Sequence, residues 1–156
     1  PSTPRRRCST SLPAPVVSHH LHYWMEQPTA VKKWYVEKLL LKATMRGPYE
    51  SGDVPGMNLT FAPLGSQKVP GVSTKGRLMD SIGFDVAHLQ AYATKLQANG
   101  VKFDVPYGRD PELGLMAATL TDPWGVTIRL TEGLAKAAGT TPYTYIDGSV
   151  VSKPID

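Results

Sequence analysis

The 156-residue chain is 41% hydrophobic and 19% charged, enough for one domain with its own core, and no apolar run nears the roughly 18 residues of a membrane span. Its formal charge of +4 includes Arg5, Arg6 and Arg7, which leaves only +1 for the rest and no stripe of charge to follow a nucleic acid. The single cysteine, Cys8, excludes an intrachain disulfide framework and a cysteine-built zinc knuckle.

Residues 1–17 are rich in Pro, Ser, Thr and Arg without periodicity and read as a flexible leader. A folded body is expected over residues 18–134, in modules at 18–64 and 80–134 joined by a linker at 65–79. Residues 135–156 form a tail. The 14 Gly and 14 Pro favour short strands and many turns.

In the first module His19–Met25 is a strand candidate, rich in aromatics and bounded by Pro28. A helix is predicted from Thr29 to Leu41, with Val31, Trp34, Tyr35 and Leu39 on one face. Met57–Pro63 is a second strand, launched from the Pro55-Gly56 turn. The order then recurs. Ser81–Val86 alternates Ile82, Phe84 and Val86 against Ser81, Gly83 and Asp85. A helix follows with the stripe Leu89, Tyr92, Ala93 and Leu96, ending at Asn99-Gly100. Strands are expected at Val101–Val105, Leu115–Thr121 and Val126–Thr131, with Tyr107–Leu115 as a polar loop. Asp122-Pro123-Trp124-Gly125 suits a type I turn between the last two strands. The pattern is β-α-β-β-β twice, an α+β fold with the helices outside.

Alternation puts His20, His22 and Trp24 on one face of the first strand. His20 and His22 are a metal pair completed by Asp85, or polar lining of a binding cavity, or ordinary strand surface. Trp24 either stacks on a flat ligand or packs into the core. Val126, Ile128 and Leu130 form an apolar face, so Arg129 points the other way with Thr127 and Thr131. It is a surface arginine, or a cavity guanidinium paired with Asp85 or with a ligand carboxylate or phosphate.

The stretches HHLHYWM before Gln27-Pro28, PGMNLTF, KGRLMDSIGFDV and ELGLMAATLTDPWGVTIRLTEGL resemble the vicinal oxygen chelate superfamily of glyoxalases, bleomycin-resistance proteins and extradiol dioxygenases. The resemblance covers about His19 to Leu134. It implies two βαβββ modules forming a curved, half-open barrel around a divalent Zn, Ni, Fe or Mn ion, and commonly a homodimer. The family's four metal-ligand positions fall on His20, Asn58, Ser81 and Arg129. Only His20 is a ligand of the family's type, so no metal cofactor is expected. The resemblance then implies a protein with a degenerate metal site that binds a small, anionic organic molecule in the barrel. His22, Trp24, Asn58, Thr60, Ser81 and Asp85 would line that site. The alternative is a lyase, isomerase or dioxygenase with an altered metal site, or a metal-free enzyme with His20 as base and Arg129 steadying an oxyanion. Cytoplasm, or export after removal of a signal peptide, both fit the sequence.

Overall fold

The computed structural model describes residues 20–65 and 71–134; His19, the leader and the tail lie outside them. The first module contains β1 (His20–Met25), α1 (Pro28–Leu39), β2 (Lys42–Arg46), β3 (Tyr49–Val54) and β4 (Met57–Pro63). The second contains β5 (Ser81–Asp85), α2 (Leu89–Ala98), β6 (Phe103–Arg109), β7 (Met116–Thr121) and β8 (Thr127–Glu132). Each module makes its own four-stranded sheet, ordered β1-β4-β3-β2 and β5-β8-β7-β6. The first and last strands of each module pair in parallel, and every other pairing is antiparallel. The βαβββ repeat and its α+β class are as the sequence predicts. Within one chain, however, the two sheets are separate and do not close into a barrel.

One face of each sheet is apolar and covered by its helix. Leu59 and Phe61 of β4 pack with Val31 and Tyr35 of α1, and Ile82, Leu120, Ile128 and Leu130 pack with Leu89 and Leu96 of α2. Both helical stripes are therefore core, as their 3.6-residue period requires. Trp34 is only half-buried, and its ring meets Trp124 of the β7–β8 turn at 6.5 Å. Helix α1 stops at Leu39 rather than Leu41, because Leu40 adopts a left-handed conformation with φ 58°. That conformation crowds Cβ and costs about 1 kcal/mol in an L-residue, while Leu40 itself is 67% exposed. Leu40→Gly is therefore expected to raise the melting temperature by a few degrees. A lower melting temperature would show that the exposed leucine contributes more than its backbone costs.

The modules meet through α1. The Tyr35 hydroxyl donates to Asp122 Oδ2 at 2.8 Å in a buried contact, and Tyr92 Oη of α2 donates to the Lys38 carbonyl at 2.7 Å. Burial pushes the Tyr92 phenol up to about 12. The described end of the linker is laid on the β7–β8 turn, where Thr74 N donates to the Gly125 carbonyl and Thr127 N to Thr74 Oγ1, both at 2.9 Å.

Strand β6 differs from the expected Val101–Val105. It begins at Phe103 and continues through Pro106 to Arg109, with irregularities in register on either side of Val105. Proline has no amide to donate, which suits an outer strand where the ladder can be interrupted. The polar loop shrinks to a turn closed by Asp110 N to the Leu115 carbonyl at 2.8 Å.

Candidate ligand-binding site

The faces opposite the helices carry the predicted site residues. In the first sheet the cross-strand rows are His20–Asn58–Asp53–Lys42 and His22–Thr60–Ser51–Thr44. Trp24 pairs with Ala62 in the next row, and Tyr49 pairs with Arg46. The inner strands are buried on this face too: Asn58, Ser51, Thr60 and Asp53 have 9% or less of their surface exposed. The edge strand β1 is open, with His20, His22 and Trp24 exposed.

Buried polar groups must find partners, and here they form a chain. Arg46 Nη2 donates to both Asp53 oxygens at 3.1 and 3.3 Å, Asn58 Nδ2 donates to Asp53 Oδ1 at 2.6 Å, and Thr60 Oγ1 donates to Asn58 Oδ1 at 2.5 Å. Both ends of the Asn58 amide are thus engaged by neighbours in the same sheet. At the open edge the rings cluster. His22 stacks on Trp24 at 5.0 Å and 19°, and meets Tyr49 edge-on at 5.4 Å.

In the second sheet Ser81 lies opposite Thr127, Gly83 opposite Arg129 and Asp85 opposite Thr131. Arg129 shares the polar face, as alternation predicts, but its acidic partner is not Asp85. Its Nη2 donates to Asp110 Oδ2 of the β6–β7 turn. Strand order explains this, since the β6–β7 hairpin runs beside β8 and its turn comes back over the polar face. Asp85 Oδ1 instead accepts from Thr131 Oγ1 at 2.8 Å and from Leu134 N at 3.0 Å. Asp110 is firmly ionised. The backbone amide of Leu113, then Arg129 and the amide of Glu112, hold its carboxyl below the usual carboxylate range.

Among the described residues no three His, Cys, Asp or Glu side chains come together as a metal-holding group, so His20, His22 and Asp85 do not assemble one. The sequence reading missed Arg46, Tyr49, Asp53 and Asp110. The Gly47-Pro48 pair between two short polar runs was the available signal for the β2–β3 hairpin that carries the first three. Nothing in the sequence ties Asp110 to Arg129, 19 residues further on.

Two four-stranded βαβββ modules, each with a polar face opposite its helix, define the class of fold. The chain belongs to the glyoxalase/bleomycin resistance protein/dioxygenase superfamily, whose family match spans residues 17–130. Among solved structures it is similar to TioX from Micromonospora sp. ML1, with TM-score 0.60 and 16% identity over 76% of this chain and 100% of that one. It is similar to TnmS3, an antibiotic binding protein from Streptomyces sp. CB03234, with TM-score 0.60 and 17% identity over 76% and 97% of the two chains. Lactoylglutathione lyase from Agrobacterium tumefaciens follows with TM-score 0.54 and 16% identity over 78% and 96%. At these identities the likeness speaks for the fold. No curated protein matches significantly.

Proposed function

We propose that the protein binds a small organic molecule on the polar faces of its two sheets and does so without the divalent metal centre of its superfamily. One observation carries this reading. At two of the superfamily's four ligand positions, Asn58 is engaged at both ends of its amide and Arg129 is ion-paired to Asp110. A divalent ion needs free electron pairs and negative charge, and this donor set offers a committed carbonyl and a cation. The residues present therefore do not fit the metal. TnmS3, an antibiotic binding protein of the same fold, gives small-molecule binding a precedent.

A metal-free enzyme built on His20 and Arg129 has less support. The Arg129 charge that would steady an oxyanion is already met by Asp110. The same pair removes the reason to expect an anionic ligand, which was an unbalanced guanidinium. A homodimer is part of the proposal on the family likeness, and light scattering in solution tests it.

Elemental analysis after dialysis against zinc and nickel tests the central claim. The expected result is transition metal well below one equivalent per chain. One tightly held equivalent, lost in a His20→Ala variant, would overturn the reading.

A further inference from the structure

We propose that the outer groove beside α2 is a second binding site, for a small organic molecule that carries a primary ammonium group on an apolar body. The groove lies on the helix-covered side of the second sheet. It is therefore separate from the polar faces and independent of the reading above.

The groove has a volume of about 530 Å³ and is lined by His88, Gln90, Ala91 and Thr94 at the start of α2, by Tyr107 of β6 and by Glu132 of β8. That is room for a small molecule. Glu132 follows Thr131, so it stands on the same side of β8 as the core residue Leu130. Its Oε1 accepts from His88 N at 2.9 Å, and its Oε2 has no partner among the described residues. The His88 imidazole, the Gln90 carboxamide and the Tyr107 phenol are likewise unengaged among them. His88 occupies the N-cap of α2, yet its ring makes no capping bond. Four polar side chains in one groove thus keep hydrogen-bonding capacity that the fold does not use. The Ala91 methyl and the Tyr107 ring, which packs against the core, add apolar wall.

The charge preference follows from the groups around the groove. Apart from His88, Glu132 is the only acidic or basic side chain among the described residues that line it. Arg109 comes next: it pairs with Met116, which pairs with Glu132, so all three stand on one face. Its guanidinium extends to the β6–β7 turn, where Nη2 would stand 3.9 Å from a Cβ on Gly114. In that turn Asp110 is held by Arg129 and by two amides, and Glu112 is exposed. Lys95 lies on another flank of α2, with Tyr92 and Asn99, and Asp85 belongs to the opposite face of the sheet. At the other end of β6, Asp104 accepts from Thr121 Oγ1 at 2.6 Å and Lys102 is exposed. One carboxylate oxygen is left unmatched. An ammonium brings three donors and a positive charge, and Glu132 Oε2, the Gln90 carbonyl oxygen and Tyr107 Oη can accept from it. A divalent metal asks for more ligands than one carboxylate, and the described residues hold no three-ligand group.

Three probes share one ring and differ in charge: 2-phenylethylamine, 2-phenylethanol and 3-phenylpropanoate. Their affinities are measured by calorimetry on the full chain, on Glu132→Gln and on Ala91→Phe, at a pH of about 8 where an ordinary imidazole is neutral. Glu132→Gln removes the charge and keeps an oxygen for the His88 amide. Ala91→Phe fills the groove from an exposed helix position, and circular dichroism checks that both variants fold. The expected result is that the amine binds the full chain roughly tenfold tighter than the alcohol, and the acid more weakly still. Glu132→Gln should bring the amine down to the alcohol, and Ala91→Phe should abolish both. Equal or tighter binding of the acid, the outcome if Arg109 sets the sign, overturns the charge assignment. Amine affinity unchanged in either folded variant, or no binding of the amine by the full chain, overturns the site. The central claim of the preceding reading fails differently, through a stoichiometric His20-dependent metal on the other face.

Discussion

Asp122→Ala is expected to destabilise the protein by on the order of 3–5 kcal/mol, read as a lowered midpoint in urea. Asp122 is 3% exposed and serves two structures at once. Its Oδ1 accepts from the amides of Trp124 at 2.9 Å and Val126 at 2.8 Å, which shapes the β7–β8 turn. Its Oδ2 accepts the Tyr35 hydroxyl, which joins α1 to the second module. Alanine would leave two turn amides and a fully buried phenol without a partner. Asp122→Asn keeps an oxygen for the amides and an NH₂ that can donate to the phenol oxygen, so it should cost about half as much. A loss below about 1 kcal/mol for Asp122→Ala would mean that the modules do not depend on this contact.

The same carboxyl has a signed pH signature. Burial raises its pKa above the usual 3.8, against the pull of the Val126 amide and the Tyr35 hydroxyl. An acid whose folded pKa lies above its unfolded one contributes stability that is fully present below the unfolded value and is lost as pH rises through the folded one. Asp122→Asn lacks that contribution at every pH. Its deficit relative to the parent should therefore be larger near pH 4 than near pH 7. The opposite slope would show that the hydrogen bonds outweigh burial at this site. Burial likewise pushes the Tyr35 and Tyr23 phenols far above their ordinary value, with the Asp122 charge adding to it, so neither ionises in the working range.

Gly125→Ala is expected to cost about 2–4 kcal/mol. Gly125 closes the turn with φ +92°, a conformation that crowds any Cβ. The added methyl would also stand 3.0 Å from Ser73 Cα and 3.4 Å from Ser73 N, backbone atoms that cannot swing aside. Relief would have to come from lifting the linker, which would break the Thr74 N to Gly125 carbonyl bond. Gly133→Ala is the control. Its φ is +87° with nothing within 4 Å of the new carbon, so only the backbone part, about 1 kcal/mol, should appear. Equal costs at the two glycines would mean that the linker does not press on the turn.

Much of this architecture can be read without coordinates because its causes are local. Leu89, Ala93 and Leu96 recur at helical spacing, and Ile82 and Phe84 alternate with Ser81, Gly83 and Asp85, because each element buries one side only. Asp122-Pro123-Trp124-Gly125 declares its turn by residue type, and the Gly125 amide does donate to the Asp122 carbonyl at 3.1 Å. Strands β2 and β3 were less distinct for an equally physical reason. Thr44, Ser51 and Asp53 occupy the polar face, while on the other side Gly52 has no side chain because a Cβ there would stand 2.8 Å from Leu41 Cδ2. The hydrophobic alternation that marks a strand is missing there.

The sequence alone therefore determined the repeat, the helical stripes and the side of each strand on which His20, His22, Trp24 and Arg129 stand, since periodicity depends only on neighbours along the chain. The tertiary structure decided which groups meet. Arg129 finds Asp110 because β6 and β7 fold back beside β8, Asn58 finds Asp53 and Thr60 because β3 and β4 pair in one register, and Tyr35 finds Asp122 across 87 residues. Such pairings set whether a charge or an amide is available to a ligand. They depend on strand order and on the packing of one module against the other, which no local pattern encodes.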